Sequence, residues 1–278
     1  MAAAADSGAA RHHLRAAELA HFDSHFAWRL VREQVAFGQR PAGSPQLRAL
    51  AVKLKALLPH GKFEAVPNQK GVRNVIGTIP GRRPGIVVGA HYDTLATPKG
   101  FVGANNGAAG TAIVVEIARA LAAANLSRTG REVRFVLFDG EEPPSGLPEQ
   151  SGDFYDSGLR GSRAYVARHP GRTARMILLD YVGNKGLQLP REGSSTESLW
   201  SRLRASAGAV GTSSYFPDTT ETAIIDDHTP FLRSGVRAVD LIDWSYPGHS
   251  LEDRLRLLSR KSLDAVGRTV IELIRRIR

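Results

Sequence analysis

The stretch "IVVGAHYDTLATPKGFVGANNGAAGTAIVVEIARALAAAN", Ile86 to Asn125, decides the fold. It opens on an unbroken apolar run, Ile86–Ala90, without the polar alternation of a half-exposed strand, so it reads as a central strand covered on both faces. His91 and Asp93 follow, then a glycine-punctuated loop, and Ala108–Asn125 reads as a long helix of small and branched apolar residues. Strand, loop and helix in this order make the first half of a crossover unit. Ligands of such sheets gather beyond the carboxyl ends of the strands, which is where His91 and Asp93 stand.

Working outward, Phe26–Gly38 and Gln46–Pro59 have helical apolar spacing and end at glycine and proline, with a turn at Arg40–Pro45 between them. Val72–Gly81 reads as a strand and Arg82–Gly85 ("RRPG") as a turn. Downstream, Glu132–Glu142 is a strand running into acid, a helix starts near Gly158, and Arg175–Gly183 is a further buried strand. Helices follow near Ser198–Ala207 and His228–Ser234, then a strand at Val236–Trp244. A last amphipathic helix is capped near Ser259 and closes in "RRIR", where cations suit the carbonyl end. This alternation predicts an α/β fold in a single domain over 21–278: a mostly parallel, mixed central sheet with helices on both faces. Residues 1–20 are expected to form a flexible N-terminal segment.

Composition narrows the function. A chain of 278 residues with 42% hydrophobic content can bury one large core. It has no cysteine, which excludes disulfides, thiolate nucleophiles and thiolate metal sites, so any metal must be held by nitrogen and oxygen. The net charge is +10, but no basic run is interleaved with stacking aromatics, so the charge reads as an arginine-rich solvated surface and no nucleic-acid partner is expected. No apolar run approaches the roughly 20 residues of a spanning helix, and no membrane association is expected. The alanine-rich start is broken by charge and lacks the apolar segment of a secretory leader. The expectation is no signal peptide: a cytoplasmic chain as it stands, an exported one if a leader has been trimmed. Neither a G-x-S-x-G elbow, a P-loop nor a G-x-G-x-x-G turn occurs.

Polar groups converge instead at strand ends. His91 and Asp93 follow one strand, Glu141 and Glu142 a second, Asp180 a third, and a loop carrying His249 follows a fourth. Imidazole nitrogen and carboxylate oxygen are zinc's ligands in the absence of thiolate. Neighbouring residues leaving a strand point in opposite directions, so Glu141 and Glu142 can divide the roles of general base and ligand. Asp93 can accept the second N–H of His91 and fix its tautomer.

The stretches "GAHYD", "GANNGAAG", "FDGEE", "LRGSRAYV", "LLDYVG", "DDHTPFLRSGV" and "YPGHSLED", in order over 89–253, resemble the zinc aminopeptidases of the aminopeptidase S and leucyl aminopeptidase type, a family that also contains glutaminyl cyclases. The resemblance implies a zinc-exopeptidase fold, zinc as cofactor and a peptide as substrate. It places His91 and Asp180 on one zinc, Glu142 and His249 on another, and Glu141 as the general base. The carboxylate that bridges the two metals in the family falls at Asn106, whose amide is a weaker, neutral donor. One or two ions are therefore expected, the second weakly held. The outcomes left open are an impaired enzyme, an inactive peptide-binding relative, or a carboxylate formed by deamidation at Asn106–Gly107. The resemblance also implies a cis peptide bond between these two residues. Asp227 matches a proton-shuttling aspartate of the cyclases, but Gly248 stands where cyclases carry a tryptophan before the zinc histidine. An aminopeptidase is the reading this supports, with a glutaminyl cyclase as the alternative.

Overall fold

The structure is a computed structural model that describes residues 20–124, 126, 129–144 and 154–278. The expected flexible segment falls almost wholly outside these residues. Strands β1 (Lys62–Ala65), β2 (Arg73–Ile79), β3 (Arg82–His91), β4 (Arg131–Phe138), β5 (Thr173–Leu179) and β6 (Arg237–Leu241) form one sheet in the order β1-β2-β4-β3-β5-β6. β4, β3, β5 and β6 run parallel, while β2 and β1 are added antiparallel at one edge. The sheet is thus mixed and mostly parallel, as the alternation of elements predicts.

Helices α1 (Ser24–Ala36), α2 (Pro45–Leu57), α3 (Gly110–Ala123), α5 (Glu197–Val210) and α7 (Arg260–Ile277) cover one face, and α4 (Arg160–Arg168) and α6 (Thr229–Arg233) the other. The crossover from β3 to β4 uses α3 on the first face; that from β4 to β5 uses α4 on the second. β3 is therefore the strand at which the winding changes sides, the place where open sheets of this kind leave a crevice. Each face has its own core. Ile113, Val114 and Ile117 of α3 pack with Val88, Ala90 and Leu137 on one side, and Tyr165 and Phe231 pack with Phe138, Val87 and Met176 on the other. Gly85–His91 is buried throughout, which is why this strand shows no alternation.

Two local expectations are corrected, and one strand lay outside them. Arg82–Gly85 is not a turn but the start of β3: Arg82 pairs with Arg131 and Gly85 with Thr173, across a register shift that accommodates Pro84. The turn lies at Pro80–Gly81, where Pro80 ends β2 and carries no N–H to continue its ladder. β1 was not legible, because "KFEA" is a four-residue edge strand too short to show a period. Ser259 precedes α7 in extended conformation but its hydroxyl makes no cap bond; its carbonyl accepts from Ser262 and Leu263 instead.

Candidate metal centre

The parallel order β4-β3-β5-β6 sets four strand ends side by side, and the side chains leaving them meet. His91, the last residue of β3, is 2% exposed. Its Nε2 lies 3.4 Å from Asp180 Oδ1, just beyond β5. Its Nδ1 lies 3.5 Å from Asp93 Oδ1 and 3.8 Å from Glu141 Oε2. On the other side of the cluster, His249 Nε2 is 3.6 Å from Glu142 Oε1. Asn106 donates from Nδ2 to that same Glu142 oxygen at 2.8 Å. The two glutamates do point to different partners, one to His91 and one to His249.

Asp93 positions them. It is fully buried, and its two oxygens accept from the backbone N–H groups of Glu141 and Glu142, each at 3.3 Å. One carboxylate thus faces the His91 ring and holds the chain that carries the glutamate pair. Asp227 lies near enough for its charge to act on Glu141 and His91, but among the described residues no ion pair or hydrogen bond joins it to His91, Asn106, Glu142 or Asp180. It is buried against Asp226, and burial followed by that neighbour pushes its pKa well above the usual carboxylate range.

Donor chemistry and burial both suit a cation. His91 Nδ1, His91 Nε2 and Glu142 Oε2 are buried without an aligned hydrogen-bond partner among the described residues. Ligand atoms of His91, Glu141 and Glu142 lie within 4.8 Å of one another. Burial pushes the Glu141 carboxyl well up, the Glu142 charge pushes it further, and His91 opposes both. Burial alone would lower the His91 pKa, yet Asp180 and Asp93 hold it well above its usual value.

Sequence reading missed the groups that hold Asn106. Asp253 accepts from the backbone N–H groups of Asn105 at 2.8 Å and Asn106 at 3.0 Å, and from the Tyr246 hydroxyl at 2.6 Å. Asn105 accepts from Gly183 N at 2.7 Å, tying the turn to the end of β5. Asp253 lies inside the motif "HSLED", but nothing in its spacing shows that it reaches back to the turn. A second buried cluster lies beside Asp227. His228 Nε2 is 3.3 Å from Glu192 Oε2, and its Nδ1 is 3.5 Å from Asp240 Oδ2. Burial would raise Glu192, but His228 and the N–H groups of Ser194 and Ile224 hold it at about 2.

The turn at Asn106 departs from expectation. Among the described residues the cis peptide bonds are Arg83–Pro84 and Thr97–Pro98, so Asn106–Gly107 is not cis. The chain reverses through Gly107 at φ +86° instead. A Cβ there would also lie 2.5 Å from the Asp93 carbonyl oxygen, so only glycine suits the position.

A doubly covered, mostly parallel sheet whose adjacent strand ends present histidine and carboxylate donors around a glutamate pair defines the zinc-exopeptidase class of fold. The chain belongs to peptidase family M28, whose model matches residues 74–274. It is 28% identical over 228 residues to bovine glutaminyl-peptide cyclotransferase, covering 70% of this chain and 63% of that protein. It is 27% identical over 227 residues to aminopeptidase YwaD of Bacillus subtilis, covering 74% of this chain and 44% of that one. The chain thus spans less than two thirds of the length of these curated relatives. Among solved structures, glutaminyl cyclase of Porphyromonas gingivalis superposes with a TM-score of 0.77 at 29% identity, covering 91% of this chain and 98% of that one. A leucine aminopeptidase precursor from Bacteroides thetaiotaomicron gives 0.79 at 27% identity, covering 91% and 97%.

Proposed function

We propose that this chain is a zinc-dependent aminopeptidase that hydrolyses the amino-terminal residue from peptides, its domain spanning 21–278. The observation that carries this reading is the pairing of donors within one cluster: His91 with Asp180 at 3.4 Å, and Glu142 with His249 at 3.6 Å, with Glu141 beside them. The two pairs would each hold one zinc, and Asn106, between them, would contribute a neutral amide. Zinc seated there supplies Lewis acidity toward water and the scissile carbonyl. Glu141 accepts the proton of the attacking water as the new C–O bond forms. It returns that proton to the leaving nitrogen as the C–N bond breaks. Asp93 keeps the His91 ring and the Glu141–Glu142 backbone in place throughout. The substrate's amino group docks against the carboxylates of the cavity. Among the described residues no helix is long and apolar enough to cross a membrane.

A second reading is favoured by one observation: the similarity to glutaminyl cyclases in both sequence and structure. On that reading the substrate's own amine replaces water, attacks the side-chain amide of an N-terminal glutamine and expels ammonia, with Glu141 moving the proton and Asp227 relaying it. Zinc-loaded protein incubated with two peptides, one beginning with leucine and one with glutamine, separates the readings by mass spectrometry. Release of the first residue supports the peptidase. Loss of ammonia from an otherwise intact glutamine peptide supports the cyclase. Peptide binding with neither product would identify an inactive relative and overturn both.

A further inference from the structure

Tyr181 follows Asp180 at the end of β5 and is not used by the mechanism above. Its backbone is left-handed, φ +46°, a conformation disfavoured for any residue with a Cβ. Asp180 holds it there by accepting from the Tyr181 N–H at 2.9 Å. The side chain is 3% exposed. Its ring meets the His249 imidazole edge-on, centroids 6.1 Å apart, and stacks with Trp244 at 6.2 Å and 26°. Trp244 itself is 54% exposed, so the two rings form a platform open on its outer side.

Gly248 explains where the phenol lies. A Cβ on Gly248 would be 2.2 Å from Tyr181 Cζ and 2.4 Å from its hydroxyl oxygen. The tip of Tyr181 therefore fills the volume that a side chain immediately before His249 would occupy. The phenol thus stands beside His249, a proposed metal ligand, whose ring it meets edge-on. Among the described residues the hydroxyl makes no hydrogen bond.

We propose that Tyr181 is a substrate-contacting residue: its hydroxyl donates to the oxygen of the attacked carbonyl, and its ring, with Trp244, walls the pocket for the side chain of the substrate's first residue. The proposal rests on the reading of the cavity as a site of attack on a carbonyl, and it holds for hydrolysis and cyclisation alike. As the nucleophile bonds to carbon, the C=O π pair moves onto oxygen, and the Tyr181 O–H hydrogen bond strengthens with that charge. When the carbonyl re-forms, the bond to nitrogen breaks and Glu141 supplies the nitrogen's proton. Tyr181 keeps its own proton throughout.

Tyr181→Phe keeps the ring and its fit to Gly248 and removes only the donor. Loss of one oxyanion donor lowers kcat by about 10²–10³-fold, so kcat should fall within that range while KM changes little. Calorimetry gives a readout independent of turnover. A tetrahedral aminoalkylphosphonate should bind the variant more weakly by a comparable factor, while the free amino acid binds both proteins alike, with equal zinc content and melting temperature. Gly248→Ala, which displaces the phenol without altering it, should reproduce the loss. An unchanged kcat in Tyr181→Phe, or equal phosphonate affinity in parent and variant, overturns the role of Tyr181. If the parent turns over neither peptide, the proposed function fails first, and the phosphonate comparison still decides on Tyr181.

Discussion

Asn106 donates its side-chain amide to Glu142 Oε1 at 2.8 Å, so the residue at the expected bridging position binds a candidate ligand as a neutral partner. A carboxylate in its place would face Glu142 as a like charge at the same distance. Two carboxylates that close share a proton or a cation. Asn106 thus makes the metal-free cavity more tolerable and the metal-loaded one less favourable.

Chelation should therefore affect the two forms differently. In Asn106→Asp, removing zinc should lower the melting temperature by several degrees more than in the parent, a difference of about 1–3 kcal/mol in linkage. Differential scanning calorimetry with and without chelator measures it. An equal shift in both proteins would mean that residue 106 does not face the metal.

Glu141→Gln removes a base but no proposed ligand. Peptide turnover should fall by about 10²–10⁴-fold while zinc per chain stays as in the parent. Loss of zinc along with activity would move Glu141 from base to ligand.

Asp253→Ala should weaken zinc retention from a distance. It strips the acceptor from the N–H groups of Asn105 and Asn106, both fully buried, and from the Tyr246 hydroxyl. Leaving these buried donors unpaired should cost about 2–5 kcal/mol, since hydrogen bonds to a charged acceptor are worth roughly 1.5–3 each and are not additive. Urea unfolding of the metal-free proteins gives that cost, and zinc dialysis gives the change in retention. Unchanged retention in a destabilised variant would confine Asp253 to a structural role.

How much of this was legible in the sequence follows from how local each signal is. β3 and α3 were readable because a run of buried apolar residues and a long apolar helix carry their own periods. His91, Glu141, Glu142 and Asp180 were readable because each follows directly on a buried strand, and parallel strands put their ends on one edge. His249 stands in the loop after a fourth strand, so its place at that edge was readable, while its pairing with Glu142 came from the resemblance. Asp253 could not be read from spacing at all, because its partners lie 147 and 148 residues away and an exposed-looking "LED" gives no sign of burial. Tyr181 was hidden for the same reason: only the fold brings its ring against Gly248. The turn at Asn106 was misjudged because glycine at 107 permits reversal by a positive φ.

Away from the site, Glu116 offers a pH test of the fold. Burial raises its pKa to about 7, only partly opposed by the Asp23 N–H at 3.1 Å and by Arg119. A carboxyl raised in the folded state binds its proton more tightly there than in the unfolded chain. Its contribution is thus fully present below the unfolded value near 4.5 and is lost as pH rises toward 7. Glu116→Gln, which keeps an acceptor for Asp23, should be near neutral at pH 5 and stabilising by on the order of 2 kcal/mol at pH 8. Urea midpoints at the two pH values report it, and a variant equally stable relative to the parent at both would exclude the shift.

The most direct test of a zinc site weakened at residue 106 is elemental analysis of the parent and Asn106→Asp after identical zinc equilibration and desalting. Anilide turnover is measured on the same samples, and mass spectrometry excludes deamidated material. The electrostatic argument predicts that the parent retains zinc, that the variant retains more per chain, and that turnover rises with it. A parent that holds no zinc, or two proteins equal in zinc content and turnover, would contradict it.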